Sequence, residues 1–158
     1  MREQQGVSGI ALRKLCYWNN PILREPCRLV EQVDDKTREL LADMAQTMYH
    51  TGNAVGLAAN QIGVLQRLIV LDTGGGLKQL VNPEIVEANG RQICVEGCLS
   101  LPGRWARTVR PQRVRVRFLD KQGDSREMVG QGELAKCLCH EIDHLNGLLL
   151  PDRAVGWL

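Results

Sequence analysis

Apolar positions along this chain keep two periods, and the switches between them mark its elements. Leu40, Leu41, Met44 and Met48 recur at the spacing of one helical face. Asp34 and Asp35 stand where an N-cap belongs, and Gly52 where the residue after a helix C-cap belongs. Asn19-Asn20-Pro21 predicts a turn, with a short helical turn over Pro21–Arg24. Residues 67–71 read as a buried strand and residues 56–61 as a loop. Residues 84–95 carry Asn89-Gly90 at their middle, which predicts a hairpin there. Residues 113–118 alternate Arg-Val-Arg-Val-Arg-Phe, giving one wet and one buried strand face. Residues 121–124 turn the chain into a further strand, and a last helix is predicted over Glu133–Leu145, stopped by Asn146-Gly147. At ~100° per residue, its Leu134, Leu138, Ile142 and Leu145 share one arc. His140 and His144 lie together on the other side, with Glu141 between.

The expected fold is therefore α+β: a single domain over residues 11–158, with antiparallel strands around a central helix. Residues 1–10 are too polar for a signal peptide and are expected to form a mobile tail. At 158 residues with 44% apolar content the chain can fill one core. Only 4% of residues are aromatic, so that core must be mostly Leu, Val, Ile and Ala. A net charge of +2, from 20 basic and 18 acidic residues, gives no signal for nucleic acid. No apolar run reaches membrane-spanning length. The six cysteines form no C-x-x-C pair, which fits a reducing cytoplasm. Gly74-Gly75-Gly76 lacks the Lys-Ser/Thr of a phosphate loop and is read as a plain loop.

The chemistry concentrates in His140-Glu141-Ile142-Asp143-His144. Two histidines one helical turn apart can hold one metal ion, and the Glu between them can handle the proton of a water that the ion activates. The chain has three histidines, and two are here. A catalytic ion usually takes three protein ligands. A metzincin would supply the third downstream, but Leu150 stands where that His belongs. His50, the carboxylates and the six cysteines remain as candidates. Cys98 stands out, since it follows a predicted strand in Glu96-Gly97-Cys98-Leu99-Ser100 and precedes Pro102-Gly103. His50 sits at a helix end, where a cation suits the dipole, and is read as structural. Cys16, Cys27, Cys94, Cys137 and Cys139 are read as small packing residues.

Glu-Gly-Cys-Leu-Ser and His-Glu-Ile-Asp-His, preceded by Gly56-Leu57-Ala58-Ala59-Asn60-Gln61, resemble the three ordered signature motifs of the peptide deformylases. The resemblance runs from about Arg13 to the end of the chain. Three departures stand out: Ala54 replaces the usual Gly, Cys139 replaces the usual Gln before the first His, and Trp105 is uncommon after the cysteine motif. None removes a ligand or a catalytic group, so they bear on loop geometry and rate.

The resemblance implies a metal-dependent amide hydrolase that removes the formyl group from N-terminal formyl-methionine and releases formate. It implies Cys98, His140 and His144 as ligands of one divalent ion. That ion is ferrous iron in the cell, with zinc, nickel or cobalt as other occupants. It further implies Glu141 as proton carrier, with the Gln61 side chain and the Leu99 N–H stabilising the oxyanion. Gly56 and Gly97 would let backbone approach the substrate. Ile142 would line part of the methionine pocket, although its place on the apolar arc argues equally for core. Glu96 and Asp143 could orient site residues, with Arg110 as a partner of Asp143. The implied partners are N-formylmethionyl nascent polypeptides, at the ribosome, met by a cytoplasmic monomer with no nucleic-acid or membrane role. Two alternatives are a zincin-like metallopeptidase and a non-catalytic relative that binds metal or peptide.

Overall fold

The computed structural model describes residues 11–158, so the tail expected over residues 1–10 lies outside the described residues. Pro21–Arg24 forms a 3-10 turn capped by Asn20. Helix α1 (Asp35–His50) begins with Asp34 as N-cap: its side chain accepts a hydrogen bond from the Thr37 N–H at 3.0 Å. Such a cap contributes about 1 kcal/mol. Its predicted stripe of Leu40, Leu41, Met44 and Met48 is buried. The segment read as a loop over 56–61 is instead a short strand, β1 (Gly56–Ala58), followed by a 3-10 turn (Ala59–Ile62).

Five strands form one antiparallel sheet. They are β1, β2 (Leu68–Leu71), β3 (Lys78–Asn89), β6 (Arg113–Leu119) and β7 (Ser125–Gln131), paired in the order β1-β2-β3-β6-β7. Side chains on a strand alternate faces, and on β2 both faces are covered. Leu68 and Val70 join the cluster of α1, whereas Ile69 and Leu71 join the cluster of Leu138, Ile142 and Leu145. That double burial explains why β2 is apolar throughout. The latter three leucine and isoleucine residues belong to helix α2 (Glu133–Leu145), so α1 and α2 cover opposite faces of the sheet.

A second antiparallel sheet, absent from the sequence reading, has the order β4-β5-β8. It contains β4 (Gln92–Cys98), β5 (Leu101–Arg110) and β8 (Ala154–Trp157), the last reached through the short helix α3 (Leu150–Arg153). This overturns the expected Asn89-Gly90 hairpin. Gly90 takes a positive φ of 71°, but β3 and β4 go to different sheets: Asn89 pairs with Arg113, and Gln92 pairs with Arg110. The reason is burial. Val114 and Val116 of β6 belong to the core cluster of α2, against which Ile85 of β3 also packs, whereas no residue of β4 belongs to it.

Candidate metal centre

Cys98 ends β4, and the turn Leu99-Ser100 returns the chain into β5. His140, Glu141 and His144 sit on α2, whose buried side Leu138, Ile142 and Leu145 occupy. Strand end and helix converge. One donor atom each from Cys98, His140 and His144 lie within 4.8 Å of one another. Cys98 Sγ is 3.3 Å from His144 Nε2, and the two imidazole centroids are 5.1 Å apart. His50 is exposed at the end of α1 and takes no part in this cluster.

The donor set fits a divalent transition metal. A thiolate with two imidazoles suits zinc, iron, nickel or cobalt alike. His140 Nδ1 is held at 2.9 Å by Glu96 Oε1, which leaves Nε2 as the nitrogen that could bind an ion. Burial pushes His140 down, but its hydrogen bonds to Cys98 and Glu96 overrule this and raise it well above the usual imidazole range. Burial, reinforced by the charge of His140, drives His144 well below that range.

Glu96 is the anchor of a buried network. Arg110 binds it with two hydrogen bonds, Nε to Oε2 at 2.7 Å and Nη2 to Oε1 at 2.8 Å, and Thr108 Oγ1 donates to the same carboxylate. Arg110 also reaches Asp143 at 2.6 Å, and Arg153 pairs with Asp143 at 3.0 Å. Burial pushes Glu96 up, yet Arg110 and His140 hold it well below the usual carboxylate range. The sequence-level pairing of Arg110 with Asp143 is present, and the larger partner of Arg110 is Glu96.

Gln61 is oriented by its neighbours. Its Oε1 accepts from the Ala58 N–H at 2.9 Å, so Nε2 is turned toward Ser100 Oγ at 3.0 Å and Cys98 Sγ at 3.8 Å. Ser100 donates onward to the Cys16 carbonyl at 2.8 Å. Sequence reasoning missed Ser100. Its place in Glu-Gly-Cys-Leu-Ser, two residues after Cys98, was the available signal.

Glu141 is 5% exposed, and burial raises its carboxyl to about 7. Its Oε1 has no hydrogen-bond partner. A cavity of about 390 Å³ opens over these groups, lined by Gln61, Cys98, Leu99, His140 and Glu141 among others. Gly56 and Gly97 line it too, but their smallness serves protein atoms. A Cβ on Gly56 would stand 2.6 Å from Glu141 Oε2, and one on Gly97 would stand 2.9 Å from the Trp105 ring. Ala54 and Trp105 are in the cavity wall, whereas Cys139 packs in the core. Ile142 also lies in the core and is not among the cavity-lining residues, so its arc and not its neighbour Glu141 decided its place.

The family model described as polypeptide deformylase matches residues 12–157. This chain belongs to that family. The peptide deformylase of Caldanaerobacter subterraneus subsp. tengcongensis is 48% identical, over 94% of this chain and 93% of its own length. The crystal structure of the Thermotoga maritima peptide deformylase superposes with a TM-score of 0.89 at 35% identity, covering 91% of this chain and 98% of that one. A Met-Ala-Ser-bound peptide deformylase of Acinetobacter baumannii matches with a TM-score of 0.86 at 30% identity, covering 90% of this chain and 98% of that one. Membership brings the reaction: metal-dependent hydrolysis of the N-formyl group of formyl-methionyl polypeptides. Among the described residues, no helix is long and apolar enough to cross a membrane.

Proposed function

We propose that this chain deformylates nascent polypeptides at a centre built from Cys98, His140 and His144. Residues 11–158 work as one metallohydrolase domain around α2, which carries the metal motif. The observation that carries this reading is the convergence of three donor atoms within 4.8 Å beside the buried, unpartnered Glu141 Oε1. A divalent ion held by these three residues would supply Lewis acidity, polarising the formyl oxygen and lowering the pKa of water toward ~7.

The protein's own groups do the rest. Glu141 accepts a proton from the attacking water and passes it to the departing amine nitrogen. Charge gathering on the formyl oxygen is met by Gln61 Nε2, whose aim Ala58 and Ser100 support, and by the Leu99 N–H. Losing one such donor typically costs ~3 kcal/mol in the transition state. Glu96, locked by Arg110, keeps the His140 ring in register. The Met-Ala-Ser peptide on the Acinetobacter relative supports a cleft that holds the product's N-terminal tripeptide.

The ion in the cell is ferrous iron, with zinc, nickel or cobalt as substitutes. The enzyme works as a cytoplasmic monomer on chains emerging from the ribosome. Formate release from formyl-Met-Ala-Ser, with and without a chelator, tests the reading. Release that the chelator abolishes and added metal restores supports it, and release indifferent to the chelator contradicts it.

A further inference from the structure

The cavity extends from the metal cluster back along α2, past Cys137 and Lys136 to Glu133. At 1.5 Å rise per residue, Lys136 lies ~6 Å and Glu133 ~10 Å from His140 along the helix axis. All three sit on adjoining arcs of one face. Val95, Gly97 and Trp105 line it as well. A pocket for a methionine side chain is expected to be apolar to its end, and this one is not. Lys136 Nζ pairs with Glu133 Oε1 at 2.9 Å, and only 18% of the Lys136 side chain is exposed. An ammonium carries three donors, of which this bond uses one.

We propose that Lys136, positioned by Glu133, is the side-chain specificity determinant of the cleft, and that it extends the substrate range to N-formyl peptides beginning with methionine sulfoxide. The proposal rests on the deformylase reading of the same centre. A first residue whose N-formyl carbonyl lies at Cys98, Gln61 and Glu141 directs an unbranched side chain along α2 toward Lys136. The thioether of methionine is a weak acceptor, whereas the sulfoxide oxygen is a strong one. In an apolar pocket that oxygen would be buried without a partner, which excludes it. Here the Lys136 ammonium donates to it. Glu133 holds the ammonium at the wall and keeps it from filling the pocket.

The test uses the metal-loaded protein and formate release from formyl-Met-Ala-Ser, its sulfoxide and the norleucyl peptide. The wild type should cleave the sulfoxide with kcat/KM within about tenfold of methionine. Lys136→Met should lower the sulfoxide-to-methionine ratio by about tenfold or more, the size of a lost charged hydrogen bond. Its norleucine-to-methionine ratio should stay as in the wild type. Lys136→Arg, which keeps charge and donors, should keep the sulfoxide ratio. Ratios cancel any uniform loss of activity. Calorimetric Kd values of Met-Ala-Ser and its sulfoxide read the same pocket without turnover, so failure of deformylation and failure of this inference stay distinguishable. An unchanged sulfoxide ratio in Lys136→Met, by rate or by Kd, overturns the proposal.

Discussion

Glu141 Oε2 occupies space that any side chain at position 56 would claim, since a Cβ there would stand only 2.6 Å away. Gly56 belongs to β1, whose register with β2 is fixed by Gly56 facing Leu71. The backbone therefore cannot back away cheaply, and the carboxylate must move. Gly56→Ala should lower kcat by about 10²-fold, the usual cost of misplacing a reacting group by ~1 Å. Its metal content should stay at one ion per chain. Wild-type kcat in this variant would mean the Glu141 position is not critical.

Glu141→Gln separates the proposed proton carrier from the proposed ligands. Fold and metal content should be retained, with the rate lower by at least ~10²-fold. Single-turnover formate release on the metal-analysed variant checks this. Near-normal turnover would require another group to move the proton.

Much of this centre was legible in the sequence because its parts are local. His140, Glu141 and His144 share one helix, and their spacing alone predicts a common face. The apolar arc of Leu138, Ile142 and Leu145 followed from the same periodicity, and the stop from Asn146-Gly147. What was not legible depends on partners distant in sequence. Asn89-Gly90 looks like a hairpin, yet strand pairing was decided by β6, more than twenty residues on. Strand β8 has four residues and no turn-flanked alternation of its own, and only its pairing with β5 makes it a strand. Ser100 is an ordinary serine until Gln61 is folded against it. The roles of Gly56 and Gly97 needed the positions of Glu141 and Trp105.

Cys98→Ala should abolish tight metal binding although five cysteines remain, because none of them joins the cluster. Elemental analysis after gel filtration is the measurement. Full occupancy would point to a carboxylate or His50 as the third ligand.

Arg110 and Glu96 are 4% and 3% exposed, so neither charge has water to fall back on. Arg110→Met should destabilise the metal-free protein by about 3–5 kcal/mol, because it strands a buried carboxylate. Adding Glu96→Gln should recover part of that loss, which urea unfolding of the single and double variants would show. A single variant as stable as wild type would contradict the coupling.

Formyl is the smallest acyl group, and Gln61, Leu99, Cys98 and His140 line the cavity proposed to hold its carbonyl. The most direct test therefore compares formyl-Met-Ala-Ser, acetyl-Met-Ala-Ser and an unblocked peptide on one metal-loaded preparation. The account predicts rapid formate release, a far slower acetyl substrate and no cleavage within the unblocked chain. Comparable formyl and acetyl rates, or internal cleavage, would contradict it and favour a general metallopeptidase.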